Sequence, residues 1–353
     1  MPQTSELQDW GKVLDRLPFV GTLKRDVLSL RHLVYDRRPV RLLAVGRSGS
    51  GRSSILNALL AADALTGERE RWVHVDASGR RADWLEVDDA PEPSELAARS
   101  LEENAPDLLI AVVAAGDEED AAPRAAAALA ALRTAVRQHH ERADPKVVAV
   151  LTKRDALSTA ESIDLAKRRV AQALSLAPED VHAVAVGPGD RAGVDALAEA
   201  LMAKAPEAAQ LEIARAFEVS ADARRALART LVTSVSAIAA TIGLAPIPFA
   251  DAFILLPLQA AMVSAIAYVS GRPWDKRIAL EWLGSVGVAG GAGMGLRWGA
   301  QQLVKLFPAG GSLVSAGVAG AGTLALGRSA IAYLIDGPGR LQHRLELRAD
   351  VPA

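Results

Sequence analysis

Six short apolar runs recur between residues 38 and 205: Val40–Val45, Trp72–Asp76, Trp84–Asp88, Leu108–Ala114, Val147–Leu151 and Val181–Val186. Runs with helical spacing lie between most of them, notably Ala121–Glu141, Ser158–Ser175 and Val194–Ala203. A near-continuous apolar run is a strand buried on both faces, and strands joined through helices lie parallel. The alternation therefore predicts an α/β domain whose mostly parallel sheet is covered by helices on both faces. Trp72–Asp76 and Trp84–Asp88 are separated only by Ala77 to Ala82, too short for a crossover, so they are expected to form an antiparallel hairpin at a sheet edge.

The first strand runs into Gly46-Arg47-Ser48-Gly49-Ser50-Gly51-Arg52-Ser53, and a helical pattern from Ser53 to Ala61 follows. Strand, glycine-rich turn and helix in this order make a phosphate-binding loop of the form G-x-x-x-x-G-K-[ST], with Arg52 where the lysine belongs. Glycines let backbone N–H groups face an anion, and the helix N-terminus adds positive potential. Gly46, Ser48, Gly49, Gly51, Arg52, Ser53 and Ser54 are the candidate phosphate residues, and the Ser53 hydroxyl suits Mg²⁺. Arginine keeps the charge of lysine but not its compact shape, so chemistry at the loop is expected to be altered.

Three later segments fall in the order expected of a guanine nucleotide site. Val87-Asp88-Asp89-Ala90-Pro91-Glu92 ends a strand and resembles the D-x-P-G element of GTPases. Asp89 aligns with the aspartate that holds Mg²⁺ through water, Asp88 is an alternative one residue earlier, and Glu92 stands in the glycine position. The apolar strand Val147–Leu151 leads into Thr152-Lys153-Arg154-Asp155, which matches [NT]-K-x-D. A carboxylate at Asp155 can accept from both N1–H and N2–H₂ of guanine, which adenine does not offer, and the stem of Lys153 can cover the base. Val184-Ala185-Val186-Gly187 resembles the last guanine-contacting element, with Ala185 in the serine place.

Together, residues 38–205 resemble the Era-like, translation-factor-class P-loop GTPases, and Gly46 to Leu59 is close to the wording GRxGxGKSSLxNAL of that group. The resemblance implies binding of GTP or GDP with Mg²⁺, slow hydrolysis and switching between nucleotide states. The chain departs from the group at Arg52 and Glu92. It has no glutamine or histidine at the water-positioning place after Asp89, and Thr66 is the nearest candidate for a switch threonine.

Composition changes near residue 230: charges are concentrated before it, and Ala, Gly, Val, Leu and Ile dominate after it. Residues 206–229 are charged and helical and read as a connector. Segments 231–250 and 252–271 carry no charged side chain, and 282–296 and 306–327 are also apolar. Uncharged runs of about 20 residues qualify as membrane spans. Small residues such as Gly291 and Gly295 equally suit close helix contact in a soluble bundle. A helical hairpin is expected to turn at Ala245–Asp251. Ile242-Gly243-Leu244, Pro246-Ile247-Pro248, Ala250-Asp251, Gln259 and Met262 resemble the YcjF-type bacterial domain of unknown function. The resemblance implies an inner-membrane setting or a membrane-protein partner for 230–337. Residues 1–37 have apolar positions at helical spacing and are expected to form amphipathic helices, and 338–353 a polar tail.

The net charge of −2 gives no argument for nucleic acid as a partner, and the absence of cysteine excludes disulfides and thiolate metal sites. The sequence expectation is a cytoplasmic GTPase switch, peripheral or integral at the inner membrane, whose nucleotide state is relayed to the helical region. The alternative is a catalytically degenerate pseudo-GTPase acting as a scaffold. Self-association into a homo-oligomer is a further expectation.

Overall fold

The computed structural model describes residues 38–63, 70–186, 191–217, 219–244, 255–272 and 312–337. The chain divides after Ala223 into two compact units. The first contains a mixed sheet of strands β1 (Val40–Val45), β2 (Val73–Ala77), β3 (Arg80–Val87), β4 (Leu108–Ala114), β5 (Lys146–Thr152) and β6 (Val181–Ala183). Their spatial order is β2-β3-β1-β4-β5-β6. Every neighbouring pair is parallel except β2 with β3, which form the expected hairpin at one edge. Its turn is Ser78-Gly79, both at positive φ, where the Asp76 carboxylate accepts from the Gly79 N–H at 2.8 Å.

Helices α1 (Arg52–Leu60), α2 (Glu95–Glu103), α3 (Glu118–His139), α4 (Ala160–Leu174), α5 (Val194–Lys204) and α6 (Glu207–Ala216) complete this unit. β4 is buried along its whole length, as a central strand covered on both faces must be. On one face Leu43, Val45, Leu109, Ala111 and Val113 pack with Ala97 and Leu101 of α2, Ala122 and Leu132 of α3 and Val170 of α4. α1, α5 and α6 pack together, with α6 meeting β1 and β3 and α5 meeting β5. Residues 207–216, read from the sequence as part of a connector, thus supply a helix to the sheet.

The amino-terminal ends of the strands are tied by a bidentate pair: Arg38 Nη1 and Nη2 donate to Asp107 Oδ2 and Oδ1, each at 2.7 Å. The same carboxylate accepts from the Arg41 N–H at 2.9 Å. Hydrogen bonding to Asp107 raises the Arg38 pKa above its ordinary value. This clamp lies at the opposite end of the sheet from the glycine-rich loop.

In the second unit the described helices are α7 (Ala221–Leu244, whose first residues belong to the preceding unit), α8 (Leu256–Val269) and α9 (Ser312–Ile331), the last running into a π-helical turn, Ala332–Asp336. α9 approaches α7 through glycines: a Cβ on Gly320 would lie 2.9 Å from Ala240 Cβ, and one on Gly327 would lie 2.5 Å from Val232 methyls. α8 meets α9 through Gln259 Nε2, which donates to the fully buried Thr323 hydroxyl at 2.9 Å. Arg225 pairs with Asp336 at 2.7 Å, and the Arg272 guanidinium lies 5.8 Å from the Tyr333 ring centroid.

Among the described residues one helix, Ala221–Gly243, is long and apolar enough to cross a membrane, with mean hydropathy 1.4 in its best window, half of it buried. Its first turns carry Asp222, Arg224, Arg225 and Arg229. The expected N-terminal helices 1–37, Thr66, Gly187, the turn Ala245–Asp251, segment 282–296 and tail 338–353 lie outside the described residues.

Candidate functional site: a glycine-rich loop at the sheet's switch point

β1 is flanked by β3 on one side and β4 on the other, so chain connections diverge from it in opposite directions. In an open α/β sheet the crevice outside the carboxyl ends of the strands at such a point is where a ligand fits. The loop after β1, the β3 end at Val87, the β4 end at Ala114 and the β5 end at Thr152 all lie at this edge.

The loop is shaped by two residues in the left-handed region, Gly49 at φ 80° and Gly51 at φ 96°. Gly51 caps α1, whose own first turn contributes no acidic side chain. Gly46 is required for a different reason. A Cβ there would fall on the Val112 carbonyl oxygen, and the Gly46 N–H donates to Val87 O at 3.3 Å. Ser48 and Gly49 are exposed at the loop's tip, and Ser53 and Ser54 are exposed on the first turn of α1. Ser50 is buried, with a hydroxyl that has no hydrogen-bond partner.

Arg52 does not reach out of the loop. Its side chain is only 4% exposed and lies against the end of β3. Nη1 donates to the Val87 carbonyl, Nη2 pairs with Asp88 Oδ1 at 2.7 Å, and Nε lies 3.8 Å from Glu86 Oε2. Glu86, also buried, accepts from the Ser53 hydroxyl at 2.6 Å and from Trp84 Nε1 at 3.0 Å. A buried guanidinium needs counter-charge and acceptors, and the β3 end supplies both. Asp89 faces another way: its Oδ2 lies 3.3 Å from Arg124 Nε of α3, and the Asp89 side chain is 10% exposed. Ser53 and Asp89, the two candidate metal residues, are thus paired with Glu86 and Arg124 rather than with each other.

The remaining candidates gather at the same edge. Thr152, fully buried, donates its hydroxyl to the Ser50 carbonyl, so the T-K-R-D segment is fastened to the glycine-rich loop. Its side chain also fills the space beside Gly51. Lys153 adopts φ 55° and projects an exposed side chain, and Asp155 is exposed on the 3₁₀ turn Arg154–Ala156. Ala185 is buried, with its N–H donating to Ala192 O at 3.0 Å. The neighbouring Val184 carbonyl accepts from the Arg154 N–H at 3.3 Å, which holds the β6 loop against the T-K-R-D segment. Arg191, further along this loop, donates to Ala58 O of α1 at 2.7 Å.

Glu86, Asp88 as a partner of Arg52, and Arg124 are the residues that sequence reasoning missed. A signal for Glu86 exists: it is a charged residue inside the otherwise apolar run Trp84-Leu85-Glu86-Val87, parallel to Ala44-Val45, which enter the loop. A charge there needs a buried partner, and Arg52, the cation at the start of the helix that follows β1, is the candidate.

The chemistry of these groups fits a polyphosphate and fits Mg²⁺ in part. The loop offers backbone N–H groups and a helix N-terminus. A Ser53 hydroxyl that donates to Glu86 keeps its lone pairs for a cation, whereas Asp89 Oδ2 has the Arg124 guanidinium as its counter-charge at 3.3 Å but accepts no hydrogen bond. Among the described residues no group of three His, Cys, Asp or Glu side chains could hold a metal unaided.

No protein-family model and no curated protein matches the chain. Solved structures do. One described as a probable GTP-binding protein engB is 12% identical at TM-score 0.33, covering 46% of this chain and 96% of that one. Aquifex aeolicus Era, as a variant bound to GDP and aluminium fluoride, is 17% identical at TM-score 0.32, covering 57% of this chain and 68% of that one. The FeoB G-domain of Methanococcus jannaschii is 18% identical at TM-score 0.31, covering 47% and 98%.

Proposed function

We propose that the α/β unit binds a guanine nucleotide at the carboxyl edge of its sheet and acts as a P-loop GTPase. The observation that carries this reading is the fastening of Thr152 to Ser50, which joins the loop suited to phosphate to the loop suited to guanine. Backbone N–H groups from Ser48 to Ser54 would hold the β-phosphate, Asp155 would accept from the guanine N1–H and N2–H₂, and Lys153 would cover the base. Mg²⁺, held through Ser53 with Glu86 behind it, would neutralise charge on the phosphates. Competition for fluorescent GDP on the full chain tests the reading. Unlabelled GTP and GDP displace it and ATP does not; equal displacement by ATP overturns the guanine assignment.

In this reading the helical unit associates with the inner membrane or a protein there, as its YcjF-type resemblance suggests, and takes its signal from nucleotide state. Flotation of the full chain with vesicles of inner-membrane lipid composition tests this part: recovery with the vesicles supports it, and recovery only in the soluble fraction counts against a lipid surface.

A second reading has its own support. Arg52 is held by Glu86 and Asp88, and Asp89 by Arg124, so the groups that serve hydrolysis in the resembled family are engaged internally. A pseudo-GTPase used as a scaffold would show this. Phosphate release from GTP that Ser53→Ala abolishes would exclude it.

A further inference from the structure

We propose that Asp88 competes with phosphate for the Arg52 guanidinium, and thereby sets how tightly the glycine-rich loop takes a polyphosphate. The inference rests on the reading that this loop binds a nucleotide, and it adds a residue that tunes the site.

The three partners of Arg52 differ in how easily they can be exchanged. The Val87 carbonyl is backbone in a strand. Glu86 has a side chain 7% exposed and is fixed by hydrogen bonds from Ser53 and Trp84, so it cannot swing out to solvent without breaking both. Asp88 stands just beyond the end of β3, is 50% exposed, and makes its close contact at 2.7 Å with Nη2. Water can solvate that carboxylate once it turns away, so it is the partner that can leave. A phosphate offers the guanidinium a charge-assisted, two-oxygen partner at least as good as a carboxylate. Exchange then keeps Arg52 paired throughout: it releases Asp88, gains phosphate oxygens, and keeps Val87 and Glu86. Without ligand, Asp88 substitutes for the ligand's charge and holds Arg52 in place. With ligand, the same carboxylate is a cost, because its contact must be given up.

The test is a double-mutant cycle on the full chain, reading dissociation constants for fluorescent GDP and for inorganic tripolyphosphate. Asp88→Asn is expected to tighten both by about fivefold, the scale of a partly exposed ion pair. In an Arg52→Ala background the same substitution changes neither, because its effect runs through the guanidinium. Arg52→Gln, which keeps a polar amide donor in place of the guanidinium, serves where the alanine variant does not fold. Equal tightening in both arginine backgrounds would mean a general charge effect and overturns the proposal. So does GDP binding that Asp88→Asn leaves unchanged or weakens, which leaves the nucleotide reading standing. Tripolyphosphate binding that responds as expected without any GDP binding supports the competition and overturns the guanine assignment. No binding of either ligand by any variant overturns both.

Discussion

Two residues of the loop are constrained more tightly than the motif alone conveys. Gly46 has no room for a Cβ beside the Val112 carbonyl. Gly46→Ala must shift either the loop or β4, so it should lower the melting temperature and weaken nucleotide binding together, as thermal unfolding and GDP titration would record. Thr152 is read from the sequence as part of a base-recognition element, yet its hydroxyl is a buried fastener on Ser50. Thr152→Val keeps the shape and removes the donor, leaving a buried carbonyl short of its partner. A loss of about 1–2 kcal/mol in urea unfolding is expected, and unchanged stability would deny the fastening role. Loop and T-K-R-D were legible because each is a contiguous run with its own chemistry. The Arg52–Glu86–Ser53 group was not, because it joins residues distant in sequence through strand register. Asp89 illustrates the same limit: the motif identifies a carboxylate at a strand end, but its pairing with Arg124 depends on where α3 lies.

Among elements, the strands stand close to where apolar runs placed them, since central parallel strands must be apolar on both faces. The boundaries moved for identifiable reasons. α3 begins at Glu118 rather than Ala121 because Glu118, Glu119 and Asp120 form an acidic first turn favourable to the helix dipole. α2 is too short for the apolar pattern to predict it, although Ser94 caps it by accepting from the Ala97 N–H at 3.1 Å. β6 regularly spans only Val181–Ala183, although the Val184 N–H still bonds to Leu151 O at 2.8 Å. His182 on this strand is held below the ordinary value of 6.5, first by burial and then by Lys167. A lowered histidine pKa means that the folded state binds fewer protons than the unfolded state. Stability should therefore rise with pH through the window just below 6.5 and fall as acid is added. His182→Asn should flatten that part of a stability–pH curve; an unchanged slope would remove His182 as its source. In the helical unit, Gly327→Ala would place a methyl 2.5 Å from Val232 and loosen α7 from α9. Val232→Ala in the same chain should restore part of the lost melting temperature, and failure to do so would mean that this contact does not limit the substitution.

At the scale of the whole molecule, two compositions mark two kinds of stability. The charged, alternating first part yields a sheet with covered faces, and the Ala- and Gly-rich later part yields helices in close approach. The shift near residue 230 was legible from charge alone, whereas the place of α6 on the sheet was not, because an amphipathic helix does not announce which surface it covers. The central claim concerns the first unit: that it reads guanine through Asp155. The most direct test measures GDP and xanthosine diphosphate binding to the full chain and to Asp155→Asn. Xanthine carries a carbonyl where guanine carries N2–H₂, so an asparagine amide can donate to it while a carboxylate repels it. The account predicts that Asp155→Asn weakens GDP roughly 30-fold or more, on the scale of a hydrogen bond to a charged group, and gains xanthosine diphosphate binding. Unchanged GDP affinity in that variant would contradict the assignment of Asp155 and with it the guanine site.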